Sequence, residues 1–171
     1  MITTGDPLAD RLMEVLAAHV PEDPSEAASL GRMKLFATTL QEPFSRHQPG
    51  ARFTASALVI DERLGRVALV HHATLRRWLQ PGGHAEAGDD GLIHLTALRE
   101  AREETGYEVA LPSPLDVDVH LIPAHGTEQA HHHLDVRFLV VARDPEAASA
   151  YRGRWNRCGS GDGHTHDCCL Q

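Results

Sequence analysis

The apolar residues of the first fifty positions recur with the period of an α-helix, and they predict two amphipathic helices. The first is predicted from Pro7 to His19. The second is predicted to begin at Asp23, a typical N-cap residue followed by a proline suited to the first turn, and to end at about Gln41. Proline and glycine then mark a boundary at 43–50. The sequence therefore predicts an N-terminal helical extension over residues 1–50.

From Arg52 onward the apolar positions alternate with polar ones, as in β-strands. The predicted strands, with a hairpin turn between the first two, span residues 53–60, 66–71, 78–80, 117–121 and 133–142. The helical period returns over 91–105, where Leu95, Leu98 and Ala101 form a predicted buried stripe and Gly106 follows as a C-cap. Few strands around one strong helix favour an α+β domain, which we assign to residues 51–149.

The residues from Ala150 to the end show almost no hydrophobic period, so the segment 150–171 is predicted to be an irregular tail. It contains side chains of the types that bind zinc, namely Cys158, His164, His166, Cys168 and Cys169. Their spacing matches no zinc-finger pattern, and incidental composition is the favoured interpretation.

Composition and charge narrow the class of function. Of 171 residues, 42% are hydrophobic and 23% are charged, as in an ordinary globular protein. The net charge of −8 argues against a nucleic-acid polymer as partner, and it means that phosphate binding would need a local cation. No apolar run is long enough to cross a membrane and no secretory signal is visible. All three cysteines lie in the tail, so the first 157 residues are expected to fold without disulfides, as in a cytoplasmic protein. Since no apolar run could cross a membrane, we expect no membrane partner.

The predicted helix at 91–105 carries a cluster of carboxylates. Glu103 and Glu104 follow Glu100 by three and four residues, so all three lie on one face. Like charges at this spacing destabilise a bare helix by roughly 0.2–0.5 kcal/mol per pair, whereas a hard cation such as Mg²⁺ would hold them together. The alternative is a solvated helix face on which Arg99 and Arg102 neutralise the glutamates.

The surroundings of this helix favour the metal interpretation. Upstream, the Pro81-Gly82-Gly83 turn allows a close approach of backbone to ligand. Turn and helix together resemble the signature of the Nudix hydrolase superfamily, which is Gly, five residues, Glu, seven residues, Arg-Glu, an apolar residue, any residue, Glu-Glu, any residue, Gly, apolar. Gly83 matches the first glycine and residues 99–107 match the core, with Tyr107 in the last apolar position.

The sequence departs from the signature between these two parts. Asp89 stands where the family has its first glutamate, and nine residues instead of seven precede Arg99. Asp89 could serve as an acidic contact or a helix cap, with Asp90 as a rival. The two additional residues fall in a loop or first turn, where insertions are well tolerated.

The resemblance covers about residues 52–143 and implies a Nudix-type α/β/α sandwich around a mixed sheet. It implies hydrolysis of a diphosphate linkage in a nucleoside diphosphate linked to another moiety, with Mg²⁺ or Mn²⁺ as cofactor. By the same resemblance Glu103 and Glu104 would be metal ligands, and Glu100 would be a ligand or the general base. Arg99 would orient a glutamate, and the Gly83 carbonyl would complete the metal shell.

Four further residues are candidates for substrate binding. His84 and Glu86 follow the glycine turn, and Arg77 precedes it, where an arginine could hold phosphate. Trp78 beside it could stack on a base, although core packing is favoured. His133 belongs to a run of three histidines that enters the last predicted strand, and it could contact phosphate, a base or an additional metal. The alternatives are a surface loop for the first two and a polar strand entrance for His133.

Strand alternation adds one expectation about this last strand. His133, Asp135 and Arg137 should share one face, opposite Leu134 and Val136.

Three functions are therefore compared. The first is an active pyrophosphohydrolase acting on a small nucleotide or diphosphate compound. The second is a catalytically inactive Nudix-fold module that binds nucleotide, and the third is an interaction domain with an acidic helix and no metal dependence. The oligomeric state stays open, and a homodimer is one arrangement considered.

Overall fold

The structure is a computed structural model that describes residues 6–61, 63, 65–72, 75–89, 91–143 and 153–157. It contains the helices α1 (Pro7–Ala18), α2 (Pro24–Thr39) and α3 (Ile93–Thr105) and a short 3-10 turn at Ala87–Asp89. The strands are β1 (Ala51–Asp61), β2 (Arg66–His72), β3 (Arg77–Leu79), β4 (Gly82–His84), β5 (Val109–Ile122), β6 (His131–Ala142) and β7 (Gly153–Arg157).

All of these strands belong to one mixed sheet. Its main order is β3-β2-β1-β6-β5, with β4 paired to β1 and β7 paired to β2. The central pair β1 and β6 is parallel, whereas the other pairs are antiparallel. The predicted hairpin of the first two strands is confirmed.

The two N-terminal helices form as predicted and join the main core. Asp6 caps α1 by accepting from the Leu8 amide, and Asp23 caps α2 by accepting from the Ser25 and Glu26 amides. These caps satisfy amides that have no partner inside the helix. Leu12, Leu16, Leu30, Met33 and Ala37 of these helices lie in the same hydrophobic cluster as the sheet.

The core lies on one face of the sheet. The parallel register places Phe53 beside Leu134 and Ala57 beside Phe138, and these residues are buried together with α3 residues such as Ala97. Because the cluster also contains α1 and α2 residues, the helices of the described chain pack against this face. The α+β class and the mixed sheet are confirmed.

The opposite face of the sheet is polar at its centre. Thr54 and Ser56 of β1 donate hydrogen bonds of 2.8 and 2.5 Å to the buried carboxylate of Asp135. His133 and Arg137 lie on the same side as Asp135, since they alternate with buried Leu134 and Val136. The predicted alternation is therefore confirmed.

Two boundaries that differ from the predictions have a clear structural reason. β5 begins at Val109, eight residues before the predicted start, because register shifts around Ser113 and Pro114 let this edge strand accommodate its prolines. α3 begins at Ile93 instead of Gly91, because Gly91 has a φ of 67° and cannot continue a right-handed helix.

The prediction of an irregular tail is wrong at Gly153–Arg157, which form β7 along β2. A strand added to a sheet by main-chain hydrogen bonds does not need a hydrophobic period of its own, so the sequence pattern gave no signal. The cysteines and histidines predicted as an incidental set, at 158–169, lie outside the described residues.

No helix in the described ranges is both long enough and apolar enough to cross a membrane.

Candidate active site

The predicted glycine turn is held tightly between β1 and α3. β4 pairs antiparallel with β1, so that Gly82 lies opposite Ser56 and Gly83 opposite Ala55. A Cβ atom on Gly82 would lie 2.8 Å from the Ser56 Cβ, and one on Gly83 would lie 2.3 Å from Glu100 Oε1. Gly82 therefore leaves no room for a side chain, whereas a side chain at Gly83 would displace the Glu100 carboxylate, which packs directly on the Gly83 backbone.

The three predicted glutamates gather at this turn. The Gly82 amide donates a hydrogen bond of 3.1 Å to Glu104 Oε2, while Glu100 is in contact with Gly83. Glu103 is the most open of the three, with 59% of its side chain exposed compared with 15% for Glu100. The structure thus brings the carboxylates of one helix face against the backbone of the turn.

Arg99 connects these carboxylates to each other. Its Nη1 donates to Glu100 Oε1 at 2.8 Å and to Glu103 Oε2 at 3.3 Å. Its Nη2 donates to the His84 carbonyl at 2.9 Å. These are the contacts that the predicted orienting role of Arg99 requires.

Asp89 is the buried partner that fixes Arg99. Its two oxygens accept from Arg99 Nε at 3.2 Å and Nη2 at 3.0 Å, and Oδ2 also accepts from the Glu86 amide and the Thr96 hydroxyl. Only 4% of Asp89 is exposed. Asp89 is therefore an acidic contact of Arg99, one of the two roles that the sequence left open, and the additional residues are accommodated around the 3-10 turn. Asp90 lies outside the described residues.

A cavity of about 700 Å³ opens beside the glycine turn, on the polar side of the sheet. Its polar lining includes Arg46, Arg52, His84, Glu128, His131 and His133. His84 links the two regions, because its carbonyl accepts from Arg99 while its ring lines the cavity. His84 is therefore the residue that connects this cavity with the contacts of Arg99, while none of the three glutamates lines the cavity.

Comparison with known proteins identifies the family. The model of the NUDIX domain family matches residues 50–154. A curated protein of Lactococcus lactis named "Probable DHNTP pyrophosphohydrolase" is 34% identical over 150 residues, which cover 85% of this chain and 84% of that protein. The chain belongs to the Nudix family. It is a Nudix hydrolase of the pyrophosphohydrolase type, as the glutamate signature predicts.

Solved Nudix structures resemble this chain over part of its length. A Nudix hydrolase of Nitrosomonas europaea is 23% identical and covers 61% of this chain and 71% of its own, with a TM-score of 0.42. The C. elegans Ap4A hydrolase is 16% identical and covers 61% of this chain and 79% of its own, with a TM-score of 0.46.

The carboxylates of this Nudix site differ in their protonation behaviour. Burial raises the pKa of Glu100, and the charges of Glu104 and Glu103 raise it further against the opposing effect of Arg99. Burial likewise raises the pKa of Glu104. For Asp89 burial also favours the neutral form, but hydrogen bonds from Arg99, the Glu86 amide and Thr96 hold its pKa below its usual value. Negative charge is thus compensated at Asp89 and only partly compensated at Glu100 and Glu104.

The uncompensated part of this charge fits a hard divalent cation. Within the described ranges, no three acidic, histidine or cysteine side chains are placed so that they could hold a metal ion as they stand. Mg²⁺ usually keeps several waters and takes only one or two carboxylates together with substrate phosphates, so an open cluster suits it. The donor set of Glu100, Glu103, Glu104 and the Gly83 carbonyl could hold Mg²⁺ or Mn²⁺.

The structure places two of the four predicted substrate-binding residues in the cavity lining. His84 and His133 line the cavity. Glu86 is exposed, and its carboxylate lies 4.0 Å from Arg99 Nη1. Arg77 is exposed in β3 and does not line this cavity. The favoured core packing of Trp78 is wrong, because Trp78 is 38% exposed and lies against the His71 ring on the outer part of the sheet.

Two residues that line the cavity, Arg52 and Glu128, were not predicted as site residues. Arg52 forms an ion pair with Glu128, although 76 positions separate them. Only the pairing of β1 with β6 brings the start of one strand next to the loop before the other. The hint available in the sequence was that Arg52 directly precedes the first predicted strand.

Proposed function

We propose that this Nudix hydrolase cleaves the diphosphate linkage of a nucleoside diphosphate linked to another moiety, with Mg²⁺ or Mn²⁺ as cofactor. The observation that carries the proposal is the placement of the Glu100 and Glu104 carboxylates on the Gly82-Gly83 turn, where the next residue, His84, lines a cavity that also carries basic side chains. The substrate would place its phosphates at the turn and its organic part in the cavity.

Each site residue has a role in this proposal. When bound, the cation neutralises charge that builds on the phosphates and lowers the pKa of water. Glu103 and Glu104 would hold it together with the Gly83 carbonyl. A water adds to phosphorus, the bridging P–O bond breaks, and Glu100 would accept the proton that the water loses. Its raised pKa makes Glu100 a better proton acceptor than an ordinary glutamate. Arg99 would keep Glu100 and Glu103 in place.

The cavity suits a compound that carries both phosphate and a planar group. Arg46 and Arg52 offer positive charge in its lining, and His84 and His133 offer ring faces and edges. His84 and His133 would act as neutral rings, because burial and neighbouring cations lower their pKa values to about 4 and about 3.

A substrate panel with matched variants tests the enzyme function. The panel contains nucleoside diphosphate sugars, dinucleotides and nucleoside triphosphates, each with Mg²⁺, and product formation is followed by chromatography. Glu103→Gln should lower kcat by at least about 100-fold, since metal stabilisation of the transition state is worth several kcal/mol. Glu108→Gln, which changes an exposed glutamate just after the same helix, should retain normal turnover.

If folded wild-type protein cleaves nothing in this panel, the proposed hydrolysis is wrong. Thermal stabilisation by a nucleotide without cleavage would then support the inactive binding module. The absence of any response to Mg²⁺ or nucleotide would support the interaction domain.

DHNTP is a second candidate substrate. It is favoured by the name of the Lactococcus lactis protein, which matches most of this chain. Release of pyrophosphate from DHNTP at a kcat/KM at least about tenfold above that for nucleoside diphosphate sugars would establish it. A preference in the other direction would rule it out in favour of the nucleoside diphosphate class.

A further inference from the structure

Four histidine rings meet on the polar face of the sheet, apart from the glutamate cluster. His133 of β6 lies at the centre, with ring centroids at 5.0 Å to His84, 5.1 Å to His131 and 5.6 Å to His120. Strand geometry explains the grouping, because His131 and His133 are two residues apart on one strand and His120 lies directly opposite His133 on β5.

The distance between two of these rings matches a metal-binding pair. His131 Nε2 and His133 Nε2 are 3.3 Å apart. Two nitrogens at 2.0–2.1 Å from a tetrahedral zinc ion are about 3.3–3.4 Å apart. The backbone of β6 therefore already holds two imidazole nitrogens at the separation of zinc ligands.

The other nitrogen of His131 is anchored in the way that metal-binding histidines usually are. His131 Nδ1 lies 2.9 Å from the Gln129 carbonyl, which can only accept a hydrogen bond. The proton of the ring is therefore on Nδ1, and the lone pair of Nε2 points toward His133. A histidine that ligates a metal commonly donates its second N–H to a backbone carbonyl.

His84 supplies an unused nitrogen at the same place. Its Nε2 is buried and has no hydrogen-bond partner among the described residues. A buried polar atom without a partner is costly, so it requires an explanation such as an ion.

We propose that His84, His131 and His133 form a binding site for a zinc-like transition-metal ion, separate from the glutamate cluster. Among the described residues no three such side chains are placed to hold a metal ion as they stand, so binding would require the His84 ring to rotate toward the other two. The ion pair of Arg52 with Glu128 reduces the repulsion that Arg52 would exert on the ion. The fourth position would stay open to the cavity, for water or a phosphate oxygen.

The proposed ion differs in chemistry from the one expected at the glutamates. Imidazole nitrogen suits Zn²⁺ and Co²⁺, whereas carboxylate and carbonyl oxygen suit Mg²⁺. The site would therefore fill in the presence of excess Mg²⁺. The inference can fail separately from the proposed hydrolysis, because it includes none of the α3 glutamates and concerns another class of metal, although it shares His84 and His133 with the cavity proposed for the substrate.

A Co²⁺ titration of the full chain in excess Mg²⁺ tests the site. Cys158, Cys168 and Cys169 are first replaced by serine, so that thiolates in the tail cannot bind the probe. We expect one equivalent of Co²⁺ with the visible absorption of a tetrahedral site, displaced by Zn²⁺. His131→Ala and His133→Ala should each weaken Co²⁺ binding by at least about 100-fold, since the loss of an outer partner alone costs 10–100-fold.

His132→Ala is the matched control, because His132 lies between the two ligands and faces the other side of the sheet. It should retain the Co²⁺ spectrum, and so should Glu103→Gln. Equal binding by all histidine variants, or no tetrahedral spectrum in the starting protein, would overturn the proposal. X-ray absorption of the Zn²⁺ form gives a check that does not depend on folding of the variants. Three imidazoles are expected, and one or none would also overturn it.

Discussion

Glutamates are buried in two regions of this protein, and their pKa values are shifted in opposite directions. Glu26 on α2 has 7% of its side chain exposed, and its oxygens accept from His19 Nε2 at 2.6 Å and from the Glu22 and Val117 amides. Burial alone would raise its pKa, but these three donors hold it below the usual value. On α3 the pKa values of Glu100 and Glu104 are raised instead.

The difference separates a structural carboxylate from a functional one. Glu26 joins the N-terminal helices to β5, and all the charge that it buries is used inside the fold. Glu100 accepts from Arg99, and Glu104 accepts from the Gly82 amide, so that part of their charge is left for a ligand. Asp89, beside them, belongs with Glu26 because it is fully hydrogen-bonded.

The largest expected effect of this difference is on stability at Glu26. Glu26→Ala should lower the free energy of unfolding by about 3–5 kcal/mol, because it leaves His19 and two buried amides without a partner. Urea unfolding at pH 7 measures this loss. Glu22→Ala removes an exposed side chain one turn earlier and should cost much less. A loss below about 1 kcal/mol for Glu26→Ala would show that the contact is not structural.

A substitution at Asp89 tests whether a fully hydrogen-bonded carboxylate inside the active site stabilises the fold, as Glu26 does. Asp89→Asn should lower the free energy of unfolding by about 2 kcal/mol, because the half-buried Arg99 loses its ion pair with Asp89. It should also lower kcat, since Arg99 then holds Glu100 and Glu103 less firmly. Glu86→Gln, at an exposed carboxylate 4.0 Å from the same arginine, is the control for both measurements. Normal kcat in a destabilised Asp89→Asn variant would contradict the positioning role of Arg99.

The functional region was the easier of the two to predict from sequence. The glutamates of α3 converge because a helix places residues three and four apart on one face, whatever surrounds it. The glycine turn is equally local. Glu26 was predicted only as part of a helix start, because its contact with the Val117 amide crosses 91 positions.

Residues that depend on strand pairing were predicted only in part. The alternation of β6 gave the correct face for His133, but its approach to His84 follows from the order β4-β1-β6 in the sheet. The partner of Arg99 was ambiguous because two additional residues separate it from Gly83, and only the path of the loop shows Asp89 buried against it. Local sequence patterns therefore predicted which residues carry the chemistry. The contacts of these residues with distant segments of the chain became visible only in the structure.

Glu104→Gln tests whether the charge on the α3 glutamates is left available for a cation. Without metal, this variant should be more stable than the wild type by about 0.2–0.5 kcal/mol, because it removes a like charge four residues from Glu100. The Gln side chain can still accept from the Gly82 amide. In contrast, the stabilisation that Mg²⁺ gives to the wild type should be lost. Thermal unfolding with EDTA and with Mg²⁺ measures both, with Glu108→Gln as control. A Glu104→Gln variant that Mg²⁺ stabilises as much as the wild type would remove Glu104 from the metal site.

The smallest effect concerns the pH dependence of stability, where the two kinds of carboxylate should act with opposite sign. The lowered pKa of Asp89 gives stability that is present above its usual value of 3.8 and is lost as pH falls through the folded pKa. The raised pKa of Glu104 imposes a cost that is present above the folded pKa and is relieved as pH falls toward 4.5 and below.

Urea unfolding in EDTA between pH 7 and pH 3 resolves these two contributions as differences from the wild type. Asp89→Asn should be less stable at pH 7, and its deficit should shrink as the solution becomes acidic. Glu104→Gln should be slightly more stable at pH 7, and its advantage should disappear below about pH 4.5, where free glutamate is also protonated. The two difference curves should thus approach zero from opposite sides. Curves of the same sign would mean that Glu104 is compensated as fully as Asp89, and the reason for expecting a cation there would be lost.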